Sequence, residues 1–186
     1  RTMIMAMKEV LPNLKQIRLC DLNLEKAKAL AAEFEGQMEV IPTDSVEEAV
    51  SGADVIATMT TSRKPFVKAE WVKPGCMMIQ MSSYEYEKDA VKKADKLVVD
   101  SWAQMIENEH SNINQMYKSG DINNVVELKQ IVSGQKPGRE KEDETTMFSS
   151  RGMGCLDIVV ADYLYKQAKE KGLGYKLNLW DEVIWV

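Results

Sequence analysis

Ile17-Arg18-Leu19-Cys20-Asp21-Leu22-Asn23 decides the fold: a short apolar run ends in an acid, and a helix-start signal follows at once. The run reads as a strand, and Asn23 reads as the N-cap of a helix that begins Leu24-Glu-Lys-Ala-Lys-Ala-Leu30. In a dinucleotide-binding fold, the carboxylate after the second strand accepts hydrogen bonds from the adenosine ribose hydroxyls. Its charge also repels the 2′-phosphate that distinguishes NADP. On that reading Asp21 is a ribose ligand and the expected cofactor is NAD. The competing reading is an Asp that merely starts the next helix. The usual companion is a glycine-rich turn roughly 20 residues upstream. Instead, Thr2, Met3, Met5, Ala6, Val10 and Leu11 recur at helical spacing until Pro12-Asn13. Arg1 is already inside that pattern and is not Met, so the sequence is expected to be a fragment, with the phosphate loop and first strand lying upstream.

Downstream, β-type and helical runs alternate, as in a parallel sheet with crossover helices. Strands are predicted at 17–21, 38–41, 53–60, 77–81, 96–100 and 145–148. Helices are predicted at 24–34, 46–50, 88–94, 102–119, 125–133 and 152–171, the last ended by Gly172 and Gly174. The fold class expected is therefore α/β, a Rossmann-type doubly wound parallel sheet. Residues 134–144 read as an exposed loop, and the apolar, aromatic tail 177–186 as a segment that docks on a partner surface.

Composition narrows the functional classes. With 45% apolar and 28% charged residues over 186 positions, the chain has the make-up of a globular domain. A net charge of −5 argues against nucleic acid as a partner, because phosphate binding needs a basic surface. No apolar run approaches membrane-span length and no signal peptide is evident, so the cytosol is the expected compartment. Cys20, Cys76 and Cys155 lack the paired spacing of a metal or redox site, and no metal is expected. The twelve Met residues read as core filling, and the lone His110, among acids, as a surface helical residue.

Several motifs in order carry a family likeness. Asp21, Ala53-Asp-Val-Ile-Ala-Thr-Met-Thr60, Trp71-Val-Lys-Pro-Gly75, Ala94-Asp-Lys-Leu-Val-Val-Asp-Ser101, Gly134-Gln-Lys-Pro-Gly-Arg139 and Asp143-Glu-Thr-Thr-Met-Phe-Ser-Ser-Arg-Gly152 together resemble the ornithine cyclodeaminase and μ-crystallin family. The resemblance implies a dinucleotide-binding domain over 1–151. It implies a C-terminal helix and tail over 152–186 that pack on a substrate and dimerisation domain, hence a homodimer. It matches Asp21 to the ribose ligand and Thr60 to a cofactor-contacting threonine. The alternative for Thr60 is a β-branched residue capping a buried strand. Met81, Ser82 and Ser83 match a cofactor-facing segment, Lys88 lies near a family lysine, and Ser150 matches a serine near the nicotinamide. Ser150 also reads as a helix N-cap.

The likeness departs from the family at one point that bears on chemistry. The acid that shuttles a proton at the substrate amine stands where this chain has Tyr84, in a segment about four residues shorter than usual. Glu85 or Glu87 is the expected replacement, against the alternative that both sit at a solvated helix start. The activity implied is NAD-dependent cyclodeamination of ornithine or a similar small amino acid, through an imine. The alternatives are an amino-acid dehydrogenase or ketimine reductase on the same scaffold, or a μ-crystallin-type ligand-binding protein without catalysis. The expected partner is a small amino acid or cyclic imine.

Overall fold

The computed structural model describes residues 1–177. Helix α1 (Thr2–Val10) leads to strand β1 (Gln16–Cys20), α2 (Leu24–Ala32), β2 (Glu39–Thr43), α3 (Val46–Val50) and β3 (Val55–Thr58). A 3-10 turn at Ala69–Trp71 precedes β4 (Met77–Gln80), α4 (Lys88–Val91), β5 (Lys96–Val99), α5 (Trp102–Glu107) and α6 (Asn112–Lys118). Strand β6 (Val125–Glu127), α7 (Leu128–Val132), β7 (Thr146–Ser149) and α8 (Gly154–Glu170) follow. Every strand pair is parallel: β1 with β2, and a five-stranded sheet in the order β3-β4-β7-β5-β6. The fold is α/β, as expected.

Period-two alternation decides which face of the larger sheet is covered. The row Ile56, Met78, Met147 and Leu97 is buried, as is the row Thr58, Gln80, Ser149 and Val99. Val67, Val72, Tyr86, Ala90, Val91, Ile113 and Met116 belong to the same core. Met78, Met116 and Met147 are wholly buried, where the unbranched thioether fills irregular space. Each contributes about 1.5–3 kcal/mol of burial. Of the cysteines, Cys76 is buried, Cys20 half-buried and Cys155 exposed.

Two predicted helices differ from those observed. Residues 125–133 are not one helix: Val125 and Val126, adjacent and β-branched, pair with Leu97 and Val98 as β6. Glu127 then caps α7 in a capping box with Gln130. The helix expected over 102–119 is broken at 108–111, because the Ser111 hydroxyl accepts the Asn114 N–H (3.0 Å) and starts α6 afresh.

No hydrogen-bonded pairing joins β1 to β3. A slot of about 730 Å³ opens there, lined by Ile17, Leu19, Val55, Ala57, Met59 and residues of α1. In a doubly wound sheet of order 3-2-1-4, that position belongs to the strand leading into the glycine turn.

The described chain divides into two compact units, 1–151 and the segment from Gly152. Within the second, α8 exposes Leu156, Val159, Val160, Tyr163 and Leu164, and an i,i+4 pair joins Lys166 to Asp162 (2.7 Å). Of the predicted docking tail, 178–186 lies outside the described residues. No helix among the described residues is long and apolar enough to cross a membrane.

Candidate functional site

In open α/β sheets, ligands sit beyond the carboxyl ends of the strands, and here those ends are polar. Met81, Ser82 and Ser83 after β4 face Ser149, Ser150 and Arg151 at the end of β7. With Met105, Asn108 and Ser111 they line a cavity of about 180 Å³. That volume admits a ring-sized group rather than a whole dinucleotide, since pockets for drug-sized ligands measure roughly 300 Å³ or more. Asp100, directly after β5, organises one wall. Its Oδ2 accepts the Ser150 hydroxyl and the Arg151 N–H, both at 2.9 Å, and its Oδ1 accepts the Ser101 N–H at 2.8 Å.

The opposite wall is tied to the α5–α6 connection. Asn108 Nδ2 donates to Ser83 Oγ (3.1 Å), and the Asn112 N–H donates to the Ser83 carbonyl (2.9 Å). Beneath the cavity floor, Gln80 Nε2 donates to Asn112 Oδ1 (3.0 Å) and Ser149 Oγ (3.3 Å). Asn112 Nδ2 returns to Gln80 Oε1 (3.2 Å) and the Tyr86 carbonyl (3.0 Å). A buried network satisfied on both sides fixes strand ends more firmly than packing alone.

The acids expected to move a proton are placed elsewhere. Glu85 is not at a solvated helix start: it is 0% exposed. Its Oε1 accepts the N–H (2.6 Å) and hydroxyl (2.7 Å) of Thr60; its Oε2 accepts the Thr58 hydroxyl (2.7 Å) and the Ser82 N–H (3.2 Å). The carboxylate is enclosed by hydrogen-bond donors of the chain itself and does not line the cavity. Glu87 is half-buried at the cap position of α4, and Lys88 is the exposed first residue of that helix. Neither lines the cavity. The Tyr84 hydroxyl accepts from Gln115 Nε2 (3.1 Å). Thr60 is drawn in as well, its hydroxyl donating to Glu85 and accepting the Ser62 N–H (3.2 Å).

Asp21 is exposed immediately after β1, and its Oδ1 accepts the Asn23 N–H (2.8 Å). Asn23 itself caps α2, accepting from Glu25 and Lys26. The helix-start role thus falls to Asn23, and Asp21 stands exposed at the carboxyl end of β1. Leu22 beside it is fully exposed. Ser150 is not the cap of α8: that helix starts at Gly154 behind Met153, and the Ser150 hydroxyl goes to Asp100.

The structure therefore gathers Met81, Ser82, Ser83 and Ser150 in one place and adds Asp100, Asn108, Ser111, Ser149 and Arg151. Asp100 carried a sequence signal as a strand-ending acid like Asp21; the helical spacing around Asn108 and Ser111 masked theirs. Burial pushes the Cys76 thiol up to about 11 and the Tyr86 hydroxyl well above its ordinary range, so neither is a nucleophile or base near neutrality.

The profile of the ornithine cyclodeaminase/mu-crystallin family matches residues 1–172. N-((2S)-2-amino-2-carboxyethyl)-L-glutamate dehydrogenase of Staphylococcus aureus is 35% identical over 147 residues, covering 77% of this chain and 44% of that enzyme. A Delta(1)-pyrroline-2-carboxylate reductase of Bacillus cereus is 37% identical over 144 residues, 72% of this chain and 43% of that protein. The structure of Thermococcus litoralis Delta(1)-pyrroline-2-carboxylate reductase in complex with NADH and L-proline superposes with a TM-score of 0.85 and 32% identity, over 95% of this chain and 57% of that one. The chain spans about half the length of these relatives. It belongs to the ornithine cyclodeaminase/mu-crystallin family.

Proposed function

We propose that this chain is the NAD-binding part of an enzyme that transfers hydride between the nicotinamide and the α-carbon of a small amino acid or its imine. The observation that carries the reading is the polar cavity at the ends of β4 and β7, organised by Asp100. The residues present fit the cofactor: Asp21 offers an exposed carboxylate at the end of β1 for a ribose, and the cavity accepts a ring-sized end. When bound, NAD supplies or accepts the hydride. Asp100 orients the Ser150 hydroxyl and the Arg151 backbone at the cavity wall, while Asn108 and Asn112 hold Ser83.

We favour a reductase or dehydrogenase over ornithine cyclodeaminase. Cyclodeamination asks for a carboxylic acid at the substrate amine, and neither acid of the 84–87 segment lines the cavity. The relatives named above, reductases and a dehydrogenase, support the same choice. The exposed apolar residues of α8 support a homodimer. Full-length protein given Δ1-pyrroline-2-carboxylate and NADH deuterated at C4 is expected to place deuterium on the α-carbon of the product. Proline and ammonia from L-ornithine and NAD, without accumulated NADH, would instead establish the cyclodeaminase.

A further inference from the structure

We propose that Glu85 is a positioning residue, a buried carboxylate clip that sets the separation of the β3 and β4 ends at the cofactor crevice through Thr60 and Ser82. The inference rests on the cofactor site described above. The last backbone hydrogen bond joining these two strands runs from the Met81 N–H to the Thr58 carbonyl (3.1 Å). Beyond it the ladder no longer fixes the spacing of the two loops. Glu85 takes over at that point: Oε1 holds Thr60 by backbone and hydroxyl, and Oε2 holds Thr58 and the Ser82 backbone. Its own carbonyl accepts the N–H groups of Phe66 (2.9 Å) and Val67 (3.0 Å), so the clip is anchored to a third segment. Val67 and Tyr86, on either side of that anchor, are 0% and 1% exposed.

Every group facing the carboxylate is a neutral donor, two on each oxygen, and no Lys or Arg among the described residues pairs with it. A buried charge held this way adds little net stability compared with an apolar filling of the same shape. What it supplies is geometry. Ser82 lines the cavity, and Thr60 opens the loop beside it, so a change in the clip changes the crevice without touching the ligand.

Glu85→Gln keeps the size of the side chain but turns one acceptor into an N–H2 group that meets donors. NADH is titrated by fluorescence into the full-length wild-type protein and the variant, with circular dichroism and melting recorded on both. The expected result is a folded variant whose Kd and KM for NADH rise about tenfold while the KM for the imine stays near the wild-type value, the upper range for loss of one hydrogen bond at a positioning element. Thr58→Val guards against a variant that does not fold. Thr58 is 6% exposed and donates to the clip from the buried side, and its loss is expected to raise the NADH Kd about threefold. A purely structural role would lower the melting temperature and leave the Kd of the folded protein unchanged. Wild-type binding that persists unaltered in both variants overturns the inference alone, whereas a wild-type protein that does not bind NADH overturns the cofactor-site reading and this inference with it.

Discussion

The two ends of the five-stranded sheet use the same chemistry to opposite effect. At the amino ends, polar groups pin loops to the strands beside a mainly apolar groove of about 790 Å³ lined by Val55, Met77, Val98, Leu128, Ile131 and Phe148. Asp95 accepts the Thr145 N–H (2.8 Å), the Thr145 hydroxyl accepts the Gly75 N–H (3.1 Å), and Arg139 donates to the Gly75 carbonyl (2.9 Å). Lys96 pairs with Glu140 (2.9 Å) and Glu144 (3.1 Å), pulling the 138–144 loop over the sheet edge. At the carboxyl ends, Asp100 and Glu85 also accept backbone N–H groups, but they hold strand termini apart around a cavity. Carboxylates that accept N–H groups therefore do not by themselves mark a site. What marks one is the lining of the space between the groups they hold: serine hydroxyls and backbone at the carboxyl ends, mainly apolar side chains in the larger groove at the amino ends.

If that contrast is right, equal damage at the two ends has unequal consequences. Asp100→Ala removes the acceptor of three donors at the cavity wall, and the rate of NADH oxidation is expected to fall about 100-fold in steady-state assays. Gly75→Ala breaks the amino end. Gly75 has φ +76°, and a Cβ there would lie 2.6 Å from the Glu142 carbonyl oxygen, so the residue that replaces it must distort the loop. The expected loss is about 2 kcal/mol, read as a melting temperature lower by about 4–8 °C, with the NADH affinity of the folded protein unchanged.

Smaller effects sharpen the comparison. Asp21→Asn removes the charge that disfavours a 2′-phosphate, and the preference for NADH over NADPH is expected to fall roughly fivefold to tenfold in paired Kd measurements. The smallest effect is one of pH at the amino end. The backbone N–H of Glu140, and then Lys96, hold the Glu144 carboxyl below its usual range. A lowered folded-state value means that this contribution is present above the unfolded carboxyl range, near pH 4.3, and is lost as pH falls through the folded value. Glu144→Gln should therefore flatten the acid limb of a melting-temperature profile below about pH 4.5, while the profile near neutrality is lowered only slightly.

The architecture was legible because its signals are local. Asn23 and Ser45 cap the helices that the sequence places after them, and runs such as Lys96–Val99 announce buried parallel strands. Strand β6 was hidden because two valines beside a helical run carry no period of their own, and only pairing with Leu97 and Val98 makes them a strand. The site was half legible. Ser82, Ser83 and Ser150 follow directly from strand ends, but Asn108 and Ser111 reach the cavity only through a helix break. Glu85 shows the limit most clearly. Its alternation with Tyr84, Tyr86 and Glu87 reads as a polar surface, yet two residues on the sheet side, Thr58 and Thr60, turn it inward.

The most direct test of the central claim is hydrogen–deuterium exchange of the full-length protein with and without saturating NADH. The account predicts slowed exchange at 21–23, 59–62, 81–85 and 149–151, with 73–77 and 138–146 unchanged. Protection confined to the amino-end segments would contradict it and move the cofactor to the opposite edge of the sheet.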